Sequence, residues 1–147
     1  MAIATAAQLT DRCAAVITES AQSFVEGRTT SGVRAAETDF KRPGQFERLA
    51  KYHGAKARWV IDSWIETWLS PSFSEWCLDE ELRRVGVPLL ALHGSDDEYG
   101  SIEHAKRIAR LASGPSRTSI IEGCGHIPHR EETTRILDEV VVFLKSL

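Results

Sequence analysis

Two short stretches hold the side chains with the most chemical promise. Val87-Pro88-Leu89-Leu90-Ala91-Leu92-His93 is an apolar run that stops at Gly94 and then presents Ser95, Asp96, Asp97 and Glu98. Thr118-Ser119-Ile120-Ile121 runs in the same way into Gly123-Cys124-Gly125-His126-Ile127-Pro128-His129. An apolar run that ends at glycine and then offers an acid or a histidine is how a buried parallel strand delivers a functional side chain at its carboxyl end. One stretch supplies carboxylates and the other an imidazole. A carboxylate beside a histidine ring accepts a hydrogen bond from one ring nitrogen, fixes the tautomer and stabilises the imidazolium formed when the other nitrogen takes a proton. The chemistry on offer is general acid–base catalysis.

The glycine-rich turn Gly123-Cys124-Gly125 lets the backbone present the next ring into an open cleft, so His126 is the expected general base. Asp96 and Asp97 compete as its partner, and either is also an ordinary turn residue, since aspartate bonds its own backbone in turns. His53 and His104 read as surface or satisfied core histidines, and His93, at a strand end before glycine, as structural. His129 reads as a hydrogen-bonding group in a pocket wall or as a cap on the last helix. Cys124, His126, His129 and Asp97 also have the ligand types of a zinc site. That alternative is the weaker one, because Pro128 interrupts helical i, i+3 presentation and no second cysteine or histidine pair completes a familiar spacing.

The elements that must position these groups are legible in the apolar periodicity. Residues 1 to 9 are small and weakly helical, as the tail of a helix would be, and Cys13 to Glu19 reads as a first buried strand. From Gly27 to Arg84 the pattern turns helical. Val33 to Phe40 has helix-forming composition; a second segment after Pro43 runs through Phe46, Leu49 and Ala50 and closes at Gly54. In a third, Ile61, Trp64, Ile65 and Trp68 fall at i, i+3, i+4 and i+7 until Pro71 stops it. After the Val87 strand, Ser101 is placed to cap a helix with Ile102, Ala105, Ile108 and Ala109 on one face. Glu131 and Glu132 sit in the first turn of a closing helix, favourable at the positive end of its dipole, with Ile136, Leu137, Val140, Val141 and Leu144 as the expected buried face. All four tryptophans, Trp59, Trp64, Trp68 and Trp76, fall in the helical region. Most are expected to pack on one another, while Trp64 and Trp68 are candidates for roofing an apolar substrate pocket.

Length and composition narrow the classes. A chain of 147 residues is long enough for one ordinary core. A net charge of -3 offers little to a phosphate backbone, so nucleic acid is not an expected partner. Three cysteines without a C-x-x-C pair argue against a disulfide framework and point to reduced thiols in a cytoplasm. No apolar run approaches the roughly 20 residues that cross a bilayer, and Asp11 and Arg12 follow the start too soon for a secretory signal.

The order of an acid after a Gly-x-x-Asp strand end and then a histidine resembles the last two members of the Ser-Asp-His triad of the α/β-hydrolase superfamily. The superfamily's His-Gly-x-x-Asp pattern falls on His93 to Asp97 and implies Asp97, not Asp96, as the triad acid. The resemblance extends along the chain: Cys13 to Glu26 resembles the sixth core strand and its exit, 27–84 the inserted helical cap, and Pro88 to Leu147 the last two strand–helix units. It implies an α/β fold, a partial α/β-hydrolase fold of about three parallel strands with flanking helices. Residues 1–26 and 85–147 would form the core and 27–84 the cap. No Gly-x-Ser-x-Gly occurs in these residues, so the nucleophile-elbow half is missing from the resemblance. Gly114-Pro115-Ser116 precedes a strand instead of following one, Ser101 reads as a cap, and Cys124 lacks a visible activating environment.

The resemblance therefore implies a carboxyl-terminal portion of a serine hydrolase acting on an ester, amide or acyl bond of a small molecule. It supplies Asp97 and His126, with Trp64, Trp68 and His129 as substrate contacts, no cofactor and no metal, and it is inactive alone. A truncated gene product is the simplest origin. The alternative from another class is a non-catalytic small-molecule- or protein-binding module. The first strand, left at the edge of a half-sheet, is expected to pair with a second copy or a complementary chain; no nucleic-acid or membrane partner is expected.

Overall fold

The computed structural model describes residues 1–147, the side chain of Thr10 apart. Along the chain the elements are α1 (Ala2–Gln8), β1 (Val16–Glu19), α2 (Gly27–Phe40), α3 (Gln45–His53), α4 (Ala57–Leu69), α5 (Asp79–Arg83), β2 (Leu89–Gly94), α6 (Glu103–Leu111), β3 (Ser116–Ile121), α7 (Pro128–Glu131) and α8 (Thr133–Leu144). Two compact units result, one of Met1–Phe24 with Cys77–Leu147 and one of Val25–Trp76.

The first unit is a parallel sheet in the order β1-β2-β3, with Val16 opposite Leu89 and Leu89 opposite Ser116. Every residue of β2 is buried, as its unbroken apolar run requires of a central strand. Leu89 and Ala91 pack with Val16 of β1 and with Ile3, Ala6, Leu82, Ala105 and Ile108 from α1, α5 and α6. Leu90 and Leu92 face the other way, onto Ile121, Cys124, Ile136 and Phe143. The sheet is thus covered on both faces. β1 is shorter than the Cys13–Glu19 run suggested, because pairing with β2 begins only at Val16.

Two further readings need correction. The closing helix is two helices: at Glu132 the backbone leaves the helical region, so Glu131 ends α7 and Glu132 precedes α8. On α8 only Ile136 and Phe143 are buried, with Val140 partly so, while Leu137, Val141 and Leu144 are exposed. The helix carries two adjacent apolar stripes at i, i+4, i+7, and one of them faces the sheet. At α6 Ile102, already at helical dihedrals, precedes the helix, and the Ser101 carbonyl accepts the His104 N–H at 3.1 Å.

The second unit is helical, with α2 and α3 both packed on α4. Val33, Ala36, Ala57 and Ile61 form its buried centre. Gly54 ends α3 at φ +54°, a conformation a side chain would strain. Trp68 meets Phe73 and Trp76 edge-on at centroid distances of 5.3 and 5.5 Å, and Phe73 stacks on Trp76 at 5.1 Å. Trp59, by contrast, is 69% exposed. The chain leaves and re-enters the sheet unit at adjacent points: Phe24 bridges Cys77, and the Leu78 N–H donates to the Ser23 carbonyl at 2.9 Å. The α5 segment groups with the sheet, because Leu82 and Val85 are fully buried in its core. Among the described residues no helix is long and apolar enough to cross a membrane.

Candidate active site

The two chemistry-bearing loops leave the carboxyl ends of β2 and β3, which are neighbours in the sheet, so topology alone brings them together. Backbone and side-chain bonds then stitch one to the other. The Ser95 N–H donates to the Ile121 carbonyl at 3.0 Å, the Asp96 N–H to the Cys124 carbonyl at 2.9 Å, and the Gly123 N–H to the Ser95 Oγ at 2.8 Å. Gly94 must be glycine here, since a Cβ would lie 2.2 Å from the carbonyl oxygens of Cys124 and Gly125. Gly123 turns the second loop at φ +71°.

The competition between acids is decided by burial. Asp96 is exposed and Asp97 is fully buried. The Asp97 carboxylate faces His126, whose Nδ1 lies 3.0 and 2.9 Å from its two oxygens. Oδ1 also accepts the Tyr99 N–H at 2.7 Å and the Gly100 N–H at 3.3 Å, and Oδ2 lies 3.3 Å from His93 Nε2. Burial alone would raise the Asp97 pKa. The hydrogen bonds from His126 and the Tyr99 N–H outweigh it and hold the carboxyl below its usual range. His126 moves the opposite way: the hydrogen bond to Asp97 raises its pKa against the opposing effect of burial, with the charges of Asp97, Glu98 and Glu131 adding to the rise. The Nδ1–H thus points at the carboxylate and leaves Nε2 as the basic nitrogen. The His126 side chain is 34% exposed, and Tyr99 meets its ring edge-on at 4.8 Å. A buried acid holding a partly exposed imidazole is competent to take a proton from a hydroxyl or a water.

His93 does more than fill a structural place. It is fully buried, and its Nε2 lies 3.0 Å from the Gly100 carbonyl as well as 3.3 Å from Asp97. An Nε2–H shared between those acceptors makes it a second side-chain donor to the acid. The His-Gly-x-x-Asp spacing was the available signal. His104 is equally buried, but its Nδ1 accepts the Ser23 N–H at 3.1 Å, away from the dyad. His129 is exposed and pairs with Glu19 at the end of β1, where its N–H and Nδ1 lie 2.6 and 3.0 Å from Glu19 Oε1. Trp64 and Trp68 belong to the helical unit, and Asp97, His126 and His129 to the sheet unit.

Cys124 is buried, and burial together with the charge of Glu131 pushes its thiol up to about 11, the wrong direction for a nucleophile. Among the described residues no three His, Cys, Asp or Glu side chains converge as a metal site. Among the described residues Ser20 is the single one other than glycine at positive φ (45°), at the end of β1, but its hydroxyl is buried without a hydrogen-bond partner.

Solved structures place this architecture. The chain matches, over 99% of its length, a serine hydrolase involved in carbazole degradation (TM-score 0.71, 18% identity) and NosK from Streptomyces actuosus (0.74, 17%). It also matches, over 99%, the meta-cleavage product hydrolase of Pseudomonas fluorescens IP01 (0.67, 18%). It spans 59, 64 and 60% of those chains, respectively. No protein-family profile and no curated protein matches the sequence. The three parallel strands, flanking helices and near-complete coverage define a partial α/β-hydrolase fold.

Proposed function

We propose that this chain supplies the acid–base half of a serine-hydrolase site: Asp97 as the orienting acid and His126 as the general base. The substrate class is a small-molecule ester, amide or acyl compound. The observation that carries this reading is the 2.9 Å contact between His126 Nδ1 and the buried Asp97 carboxylate. In the complete site, His126 Nε2 would take the proton of a serine hydroxyl as that oxygen attacks the acyl carbon, and return it to the leaving group. It would then activate a water to release the acyl group, while Asp97 stabilises the imidazolium each time. Trp64 and Trp68 are assigned apolar substrate contacts and His129 a polar one. No cofactor is needed for this chemistry. Without a nucleophile and oxyanion donors, which carry most of the rate, these residues alone should not turn over.

Fluorophosphonate labelling read by intact mass, with His126→Ala in parallel, tests the reading. The expected result is no adduct on the folded chain. A single adduct that disappears in the variant overturns the claim that no nucleophile is present, and peptide mapping would look first at Ser20.

A further inference from the structure

His126 lies on a loop, and a loop does not by itself hold a base to catalytic tolerance. Something must fix the backbone on both sides of it. The Gly125 N–H donates to Glu131 Oε2 at 2.6 Å and the Ile127 N–H to Glu131 Oε1 at 3.0 Å. The two peptide groups bracketing His126 are thereby tied to one carboxylate. The Cys124 thiol donates to Oε2 as well, at 3.7 Å. The Glu131 N–H in turn donates to the Ile127 carbonyl at 3.1 Å, so side chain and backbone of one residue close a ring with the loop. A Cβ on Gly125 would lie 3.0 to 3.1 Å from the Glu131 oxygens, tighter than ordinary contact, so a side chain there would press on the carboxylate.

We infer that Glu131 is the positioning residue for His126: its carboxylate clamps the N–H groups of Gly125 and Ile127 and so aims the imidazole at Asp97. This rests on the acid–base reading of Asp97 and His126 above. A single-turn helix beginning at Pro128 places Glu131 five residues after His126, where its side chain reaches back under the loop. Charge-assisted bonds to backbone N–H groups are the strong kind, and both are directed at the same short segment. The same bonds hold the Glu131 pKa down, those from Gly125 and Ile127 foremost. The consequence is geometric, since a base displaced by about 1 Å loses on the order of 10²-fold in rate.

The test is histidine-ring NMR on the full chain. The parent should show a downfield Nδ1–H resonance for His126, lost in Asp97→Asn, and a ring titration midpoint above the usual histidine range. Glu131→Ala should broaden or abolish that resonance and lower the midpoint, while the ring signals of His104, held by Ser23, stay in place. Glu131→Gln, which keeps an acceptor for one of the two N–H groups, should fall between the two. A His126 resonance and midpoint unchanged in Glu131→Ala overturn the inference. Where the alanine variant loses the His104 signals and has unfolded, the glutamine variant decides, and an unchanged His126 Nδ1–H resonance there overturns it equally. A parent lacking the Asp97-dependent resonance overturns the acid–base reading itself, and the inference with it.

Discussion

At the scale of single residues, the acid–base pair makes stability depend on pH in a direction that can be worked out. Asp97 has its folded pKa depressed, so its contribution is present above the ordinary carboxylate range and is lost as pH falls through the depressed value. His126 has its folded pKa raised, so its contribution is complete below the ordinary histidine range and fades as pH rises through the raised value. Between those limits both charges are present. Asp97→Asn should therefore destabilise most in that window, by about 1–3 kcal/mol for the charged hydrogen bonds lost. The gap to the parent should narrow at higher pH. Urea unfolding of both proteins across the pH range checks this, and a gap constant with pH would show that the pair is not charged in the folded state.

At the scale of elements, the site depends on how β2 meets the loop after β3. Gly94→Ala would drive a methyl group into the carbonyl oxygens of Cys124 and Gly125, both backbone atoms that cannot swing aside. The expected cost is about 1–3 kcal/mol of overpacking, together with a shifted His126 ring signal. Leu90→Ala, on the fully buried centre of the same strand, should cost about 2–5 kcal/mol through the cavity it leaves. It should leave the His126 signal where it was. Denaturation curves paired with histidine NMR separate the two outcomes; equal effects on His126 would mean that the Gly94 contact has no special part in placing it.

At the scale of the whole molecule, the sheet ends at β1, a parallel strand that pairs with β2 alone among the described residues. Its outer row of peptide groups has no strand partner, and Leu137, Val141 and Leu144 add an exposed apolar stripe on α8. Parallel strands are ordinarily buried, and an open edge of this kind pairs readily with other chains. The purified chain should accordingly show concentration-dependent association in sedimentation velocity, or a broad melt of low cooperativity. A monomer with a sharp, concentration-independent melt would remove the edge as a determinant of its behaviour.

The sequence by itself marked the strands of a three-stranded parallel sheet and the helices that flank it. Each rests on a local signal: an unbroken apolar run for a strand buried on both faces and a 3.6-residue period for α4. What lay outside its reach needed atoms far apart in the chain. Two equally good apolar stripes on α8 look the same in one dimension, and only the sheet beneath selects Ile136, Val140 and Phe143. The break at Glu132 separates two adjacent glutamates that read as one helix start: Glu131 lies in the single turn of α7 and turns back to the N–H groups of Gly125 and Ile127, while Glu132 precedes α8. Asp97 outranked Asp96 only by resemblance to a known pattern. Tertiary structure supplied the physical reason by burying one carboxylate against His93 and His126 and leaving the other in water.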